Sequence, residues 1–329
     1  MPTPTDQDQS DLPTPRPISI VRTRGDRVFR RLATGAGLAT FVILALIGLF
    51  LLLEALPALK DQGWKFFTNF EWNPPPRGTT FGIGAVMYWT VVVATISLVI
   101  AVPVSIATAL FITEYAPPWL GRPLTSLVDL LAAVPSLIYG MWGVLFLNPR
   151  MIGLSEWLST HLGFIPIFEV HNDAFGNSAF VGGSILSLMV IPICTAVMRE
   201  VFSQAPAGEK EGALALGGTR WGMIRAVVLP FGKGGIVGAS MLGLGRALGE
   251  TIVLALVLSP SFLISPRILE RGANSVGALI ANNFGEGGSG LGLNALMAAG
   301  LSLFLLTLVV NTLASVVVAR SRSGQGVEI

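Results

Sequence analysis

Apolar residues in this chain are grouped in long blocks rather than in the short alternation of a soluble domain. Six blocks of about 20 residues or more are rich in Leu, Val, Ile, Ala and Gly, and each is long enough as a helix to cross a hydrocarbon core of about 30 Å. They cover residues 32–56, 85–112, 124–147, 179–198, 236–258 and 293–319. The pattern predicts an all-α integral membrane protein with about six transmembrane helices.

The remaining residues form tails and loops. We predict a basic, Pro-rich tail at residues 1–31, an outer loop at 57–82, a polar loop at 200–230 inside the span-bearing region 83–319, and a short tail at 320–329. Each polar stretch is shorter than a separate catalytic or nucleotide-binding domain of about 50 residues. Any energy source for this protein is therefore expected on another chain.

One outer connection is ambiguous. Residues 151–168 form an apolar, Trp-bearing stretch that is shorter than a convincing span, and its pattern fits either an interfacial segment or one that dips into the membrane. Pro103, Pro135 and Pro192 fall inside predicted spans, where we expect them to kink the helices.

Charge supports the membrane class and predicts an orientation. Only 12% of the 329 residues are charged and the net charge is +2, which argues against a soluble enzyme and a nucleic-acid partner. Of the 21 basic residues, 14 fall on the side of the two termini, six on the other side, and one, Arg246, inside a span. Because basic residues accumulate on the cytoplasmic side, both termini are predicted to be cytoplasmic.

Metal and nucleotide chemistry find little support in the sequence. The chain has one cysteine, Cys194, and two histidines without the spacing of a metal site, so we expect no disulfide, metal or cofactor. The Gly-Lys-Gly around Lys233 lacks the upstream glycine and the following Ser or Thr of a phosphate-binding loop. ATP is not expected to bind this chain.

Two charged residues, Arg246 and Glu250, lie within the fifth predicted span. In a continuous helix, a spacing of four places them on one face, and each charge alone at the bilayer centre would disfavour insertion by about 2.5–3.5 kcal/mol. They fit either an internal ion pair or a substrate path. In a path, Arg246 would bind a tetrahedral oxyanion, and Glu250 would accept a hydrogen bond from a protonated oxygen, favouring hydrogen phosphate over sulfate.

The glycines around this pair, Gly243, Gly245 and Gly249, would allow another helix or a ligand to approach the backbone closely. Asp129, near the start of the third predicted span, is a further candidate for the path. Its position also fits a helix cap or a side chain that reaches the interface.

The polar loop at residues 200–230 has the punctuation of two helices. Pro206 suits the start of the first, Gly217-Gly218 its end, Thr219 the cap of the second, and Pro230 its stop. One apolar stripe is predicted along the loop, and it fits either a groove on a partner or the membrane surface. Its residues are Leu214, Gly217, Trp221, Ile224 and Val228.

This loop resembles the EAA loop of bacterial ABC importer permeases, E-A-A-x3-G-x9-I-x-L-P. Gly212 stands where Ala is usual and Val227 where Ile is usual. The resemblance implies the type I ABC importer permease fold and a coupling helix that inserts into an ATP-hydrolysing subunit. The residues matched to this coupling element are Glu211, Gly212, Ala213, Gly217, Leu229 and Pro230.

Segments 133–140, 211–221 and 243–251 are together similar to the PstC-type permeases of phosphate-specific importers, and the similarity covers about residues 82–319. The sister PstA-type permease has a related Arg-Ala-x-Gly-Glu-Thr segment but usually continues with Ala-Pro-Leu. This chain instead continues with Ile-Val-Leu at residues 252–254. The difference favours the PstC type.

The resemblance implies a non-enzymatic permease subunit that imports inorganic phosphate across the bacterial cytoplasmic membrane. It also implies a PstA-like second permease, a PstB-like pair of ATP-hydrolysing subunits and an extracytoplasmic PstS-like phosphate-binding protein. A permease for sulfate or molybdate remains an alternative. A non-ABC secondary transporter would not need the cytoplasmic Glu-to-Leu-Pro motif, and an intramembrane enzyme would need a nucleophile and base that the spans lack.

Overall fold

The computed structural model describes residues 24–75, 77–172, 174–285 and 290–321. Over these ranges the fold is helical. Its β-structure is limited to isolated β-bridges, and no strand is formed within the described residues. The helices are α1 (Arg24–Gln62), α2 (Lys65–Thr68), α3 (Gly84–Tyr115), α4 (Pro118–Ala132), α5 (Ser136–Leu162), α6 (Ala179–Ser203), α7 (Ala207–Ala215), α8 (Arg220–Leu248), α9 (Ile252–Val257), α10 (Val276–Asn283) and α11 (Leu291–Ser321). Six of them, α1, α3, α5, α6, α8 and α11, are long and apolar enough to cross a membrane, so the predicted all-α membrane class is confirmed.

The chain divides into two units, Met1–Leu49 and Phe50–Ile329. The described part of the first unit belongs to α1, and its apolar side chains are exposed, as expected of a helix surrounded by lipid. Helix α1 contains the predicted first span and extends beyond it at both ends. Most of the predicted basic tail, residues 1–23, and residues 322–329 of the predicted final tail lie outside the described residues.

The centre of the second unit is the crossing of α3 and α6. A Cβ atom on Gly183 would lie only 2.6 Å from Ile96, and the Ser105 hydroxyl donates to the Ile191 carbonyl at 3.1 Å. Trp89 and Phe202 are fully or almost fully buried in the same core. Small residues therefore permit the closest helix contacts, and large apolar side chains fill the space beside them.

At one end of this unit, the connection between α9 and α10 contacts the beginning of α3 and the connection that precedes α6. Trp89 Nε1 donates to the Leu263 carbonyl at 2.8 Å, and the Arg271 amide donates to the Ala174 carbonyl at 2.8 Å. Helix α7 follows the other end of α6. The two ends of the unit are thus distinct, with long connections at one and the 200–230 segment at the other.

The predicted third span, residues 124–147, has the wrong bounds. Helix α4 ends at Ala132 and α5 begins at Ser136, with an extended Pro135 between them. The chain breaks here instead of kinking, and the break suits a proline, which has no backbone N–H and disfavours helical geometry in the residue before it. Helix α5 then continues to Leu162. Most of the ambiguous 151–168 stretch is therefore the second half of the third candidate span.

The predicted fifth span, residues 236–258, is also misplaced. Helix α8 begins at Arg220 and passes through Pro230, which was expected to stop it. A widened turn at Ile224–Val228 precedes the proline, and the Leu229 amide donates five residues back to Ile224. This wider turn accommodates a residue that has no N–H to donate. The helix ends instead at Leu248.

Candidate functional site

Arg246 lies in the last turn of α8 and is exposed on the surface of this chain. Its Nη2 atom lies 3.5 Å from the sulfur of Met189, the eleventh of the 25 residues of α6. That contact places the guanidinium near the middle of a membrane-length helix. No Asp or Glu among the described residues forms an ion pair with it. An uncompensated cation at this depth would be unfavourable unless it faces a polar path or a partner.

Glu250 lies beyond the end of α8. Gly249 closes that helix, and Glu250 is buried, with 7% of its surface exposed. Its Oε1 accepts a hydrogen bond from the Val253 amide, in the first turn of α9, at 3.4 Å. The prediction that Arg246 and Glu250 share one helix face is therefore wrong, and the two side chains form no ion pair.

The break between α8 and α9 is enclosed by two glycines on other helices. A Cβ atom on Gly277 of α10 would lie 3.0 Å from the Glu250 carbonyl oxygen, and one on Gly140 of α5 would lie 3.3 Å from the Val253 Cα. Gly277 was not among the residues predicted from the sequence. The break itself had a local signal, since Gly249 followed by Thr251 is typical of one helix ending and another beginning.

The glycines of α8 behave partly as predicted. A Cβ atom on Gly243 would lie 2.8 Å from the sulfur of Cys194 on α6, and one on Gly245 would lie 3.1 Å from the Asn311 side chain on α11. Close approach by other helices is confirmed at these two positions. At Gly249 the nearest such atom, 3.5 Å away, is the carbonyl oxygen of Gly245 in α8 itself.

Asp129 is on α4, apart from the Arg246 region. Its Oδ1 lies 3.5 Å from Arg199 Nη2 on α6, and about half of its side chain is exposed. No hydrogen bond or ion pair among the described residues joins Asp129 to Arg246 or Glu250. The structure therefore ties α4 to α6 at this carboxylate.

Two helices begin in the 200–230 segment as predicted, although the second continues past Pro230 to Leu248. Helix α7 follows Pro206 and ends before Gly217, which has the left-handed backbone angle φ of +83°. The Gly217 and Gly218 amides donate back to the carbonyls of Leu214 and Ala213. The Thr219 hydroxyl accepts from the Gly222 amide at 3.1 Å. The predicted C-terminal glycine and N-terminal threonine caps are thereby confirmed.

The predicted single apolar stripe is wrong, because the chain turns at Gly217-Gly218 and the helix does not continue through it. Ile224 and Val228 are fully buried inside the chain, whereas Leu214 and Trp221 are 44% and 56% exposed. Leu216 is 91% exposed. The apolar side chains of this segment thus separate into an inner set and an outer set.

Residues matched to the EAA loop follow the same division. Glu211, Gly212 and Gly217 are exposed, and Ala213 is half-buried. Leu229 and Pro230 belong to α8, where Leu229 is half-buried and Pro230 exposed. The motif therefore covers an exposed short helix and the first part of a membrane-length helix.

Two cation contacts attach this segment to the end of α3. Lys210 Nζ lies 2.7 Å from Glu114 Oε1, and both side chains are largely buried. The guanidinium carbon of Arg220 lies 5.7 Å from the centre of the Tyr115 ring. These contacts join residues about one hundred positions apart, so no local sequence signal could have revealed them.

Known sequences support the reading of these motifs. The family described as "Binding-protein-dependent transport system inner membrane component" matches residues 101–323. "Phosphate transport system permease protein PstC" of Mycobacterium leprae is 40% identical over 95% of this chain and 98% of its own length. "Phosphate transport system permease protein PstC 2" of Mycobacterium tuberculosis is 38% identical over 92% of this chain and 94% of its own length.

A solved structure agrees at the level of the fold. A chain from a bacterial ABC transporter involved in the import of the acidic polysaccharide alginate superposes with a TM-score of 0.58 at 20% identity, over 90% of this chain and 98% of that one. The fold and the exposed EAA-type segment define a permease of the ABC importer class. The chain belongs to the inner-membrane components of binding-protein-dependent transport systems, and the resemblance to PstC-type permeases is confirmed.

Proposed function

We propose that this chain is the permease subunit of an importer for inorganic phosphate, and that Arg246 lines the path. The observation that carries the proposal is an exposed guanidinium beside the middle of α6, without a carboxylate partner among the described residues. A guanidinium offers two parallel donors to a tetrahedral oxyanion, and in a region of low dielectric the charge attracts the anion strongly. The relatives' names supply the substrate.

In this proposal Glu250 acts from the start of α9 and not from the same face of α8 as Arg246. Its carboxylate is held at the start of α9 by the Val253 amide, so its location is set by the break and not by the face of α8. We assign it the role of accepting a hydrogen bond from the protonated oxygen of hydrogen phosphate. Sulfate has no proton to donate at neutral pH and would be repelled by the carboxylate.

Asp129 is the third residue of the proposed path. It is half exposed and its described partner, Arg199, is 3.5 Å away, which is a loose contact for an ion pair. Loss of a path carboxylate would slow phosphate movement, whereas loss of a strut between α4 and α6 would lower stability at unchanged transport. Comparing Asp129→Asn with Arg199→Gln in both assays separates these two roles.

The chain would work in the bacterial cytoplasmic membrane with both termini in the cytoplasm. That orientation places α7 at the cytoplasmic face, and the basic residues then follow the positive-inside pattern. The exposed side chains of Glu211, Leu214 and Leu216 would insert into one of two PstB-like ATP-hydrolysing subunits. A PstA-like permease would complete the path, and a PstS-like binding protein would deliver phosphate to the outer connections.

Transport would proceed by alternating access. ATP binding would close the pair of ATP-hydrolysing subunits, and α7 would carry that movement to the spans so that the path opens outward to receive phosphate. Hydrolysis would return it to the inward-open state. The permease itself would hydrolyse nothing.

The test is uptake of radiolabelled phosphate by proteoliposomes containing all four kinds of subunit. We expect ATP-dependent uptake that excess sulfate and molybdate do not reduce, and its loss in Arg246→Ala. Arg150→Ala is the matched control. Arg150 is also an exposed arginine on a candidate span, but its guanidinium donates a hydrogen bond to the Phe146 carbonyl of its own helix. Strong competition by sulfate or molybdate would assign the chain to another oxyanion. Unchanged uptake in Arg246→Ala would remove Arg246 from the path.

A further inference from the structure

The ion pair between Lys210 and Glu114 has no place in the mechanism so far. Glu114 lies in the widened turn Phe111–Tyr115 that ends α3, and only 7% of its side chain is exposed. A carboxylate in the last turn of a helix faces the negative end of the helix dipole, and burial adds a further cost. Lys210 Nζ, 2.7 Å away, offsets both.

Lys210 stands on α7, which is otherwise weakly attached to this chain. The residues of α7 are all exposed or half-buried, and the half-buried ones are Lys210 and Ala213. Ala213 packs on the main core through a single methyl group. Of the side-chain contacts that hold α7, the ion pair to Glu114 is therefore the directional one.

The next residue of α3, Tyr115, receives the second cation of the segment. Arg220, the first residue of α8, lies over its ring at 5.7 Å. Adjacent residues at the end of α3 thus contact both arms of the α7–α8 turn. Any displacement of that turn would pull or push on the end of α3.

Helix α3 connects this end with the surroundings of Arg246. It packs along α6, and the Leu98 side chain lies 3.8 Å from the position of a Cβ on Gly243, three residues before Arg246. Close-packed interiors transmit displacement rather than absorbing it. A mechanical connection therefore runs from α7 through α3 to the wall of the proposed path, separate from the covalent continuation of α8.

We propose that the Lys210–Glu114 pair is a positioning contact that transmits movement of α7 to α3 and so couples ATP hydrolysis to opening of the path. This inference rests on the proposed function, because it presumes that α7 docks on an ATP-hydrolysing subunit. It assigns to Glu114 and Lys210 no contact with the transported anion.

The experiment measures anion transported per ATP hydrolysed in proteoliposomes containing the complete complex. Glu114→Gln and Lys210→Met each remove one charge, and the exchange of the two charges, Glu114→Lys with Lys210→Glu, restores a pair. We expect each single variant to lower the ratio at least about fivefold, the lower range of usual coupling between sites, and the exchange to recover most of it. Lys233→Met and Glu156→Gln, at exposed positions with no side-chain partner among the described contacts, should leave the ratio unchanged.

A purely structural pair would behave differently. It would reduce the amount of assembled complex and its thermal stability while leaving the ratio at the wild-type value, and that result would overturn the inference. If a single variant fails to assemble because the remaining partner is left as an unpaired buried charge, the double variant Glu114→Gln with Lys210→Met decides, since it leaves neither charge unpaired, and an unchanged ratio in it overturns the proposal.

Failure of the proposed substrate is recognised separately. The wild-type complex is assayed with phosphate, sulfate and molybdate, each with its binding protein. Transport of sulfate or molybdate in place of phosphate would refute the substrate assignment, and the coupling ratio would then be measured with the anion that is carried. A fivefold loss with that anion would still support the role of the ion pair.

Discussion

Gly243 of α8 and Cys194 of α6 are in direct contact, so close that a Cβ on Gly243 would lie 2.8 Å from the cysteine sulfur. The contact fixes α8 against α6 just before Arg246. Because α6 is the most buried of the candidate spans, the position of the guanidinium depends on this crossing. The site is thus positioned by packing several residues away from the charged groups themselves.

We expect Gly243→Ala to destabilise the protein by about 1–3 kcal/mol, the usual cost of overpacking a filled core. Thermal unfolding of the purified subunit in detergent would measure the loss. Gly238→Ala on the same helix is the control, because a Cβ there meets no atom within 4 Å. Equal stability of the two variants would show that the α6–α8 contact is looser than described.

Replacing two glycines of the α7 region by alanine should change the local stability of α7 in opposite directions. Gly217 has φ of +83°, so Gly217→Ala should cost about 1–2 kcal/mol locally and loosen the turn. Gly212 is helical and has open space around it, so Gly212→Ala should stabilise α7 by about 1 kcal/mol. Hydrogen exchange of residues 205–219 should accelerate in the first variant and slow in the second. Identical exchange would contradict the assigned cap.

Glu211→Lys should abolish transport-coupled ATP hydrolysis in the assembled complex. Glu211 is exposed on α7, and reversal of its charge would oppose docking on the ATP-hydrolysing subunit. ATP hydrolysis stimulated by the loaded binding protein is the measurement, with Glu156→Lys, at an exposed position on α5, as the control. Stimulation that persists in Glu211→Lys would argue against the docking role of α7.

Glu250→Gln should weaken discrimination between anions. The amide retains an acceptor for the Val253 amide but removes the negative charge that is proposed to repel sulfate. We expect excess sulfate to reduce phosphate uptake in this variant and not in the wild type. A variant that remains insensitive to sulfate would place the selective element elsewhere in the complex.

Much of this protein could be predicted from local pattern. Apolar block length is sufficient for the membrane class and for six spans, because a helix that crosses lipid must satisfy its backbone internally and cover itself with apolar side chains. The caps at Gly217 and Thr219 were equally predictable, since they depend on the residues immediately beside them. Both kinds of feature are decided within one or two helical turns.

Helix breaks and contacts between distant residues depended on tertiary packing. Pro103 and Pro192 lie inside continuous helices, whereas Pro135 separates two, so proline alone does not determine the outcome. The break between α8 and α9 can be buried only because glycines on neighbouring helices leave room for it. The Lys210–Glu114 pair forms only because α3 and α7 meet in the folded chain. Hydropathy and spacing indicate which residues are removed from water. The neighbours that form hydrogen bonds with a freed backbone group, or ion pairs with a buried charge, are determined only when the helices pack.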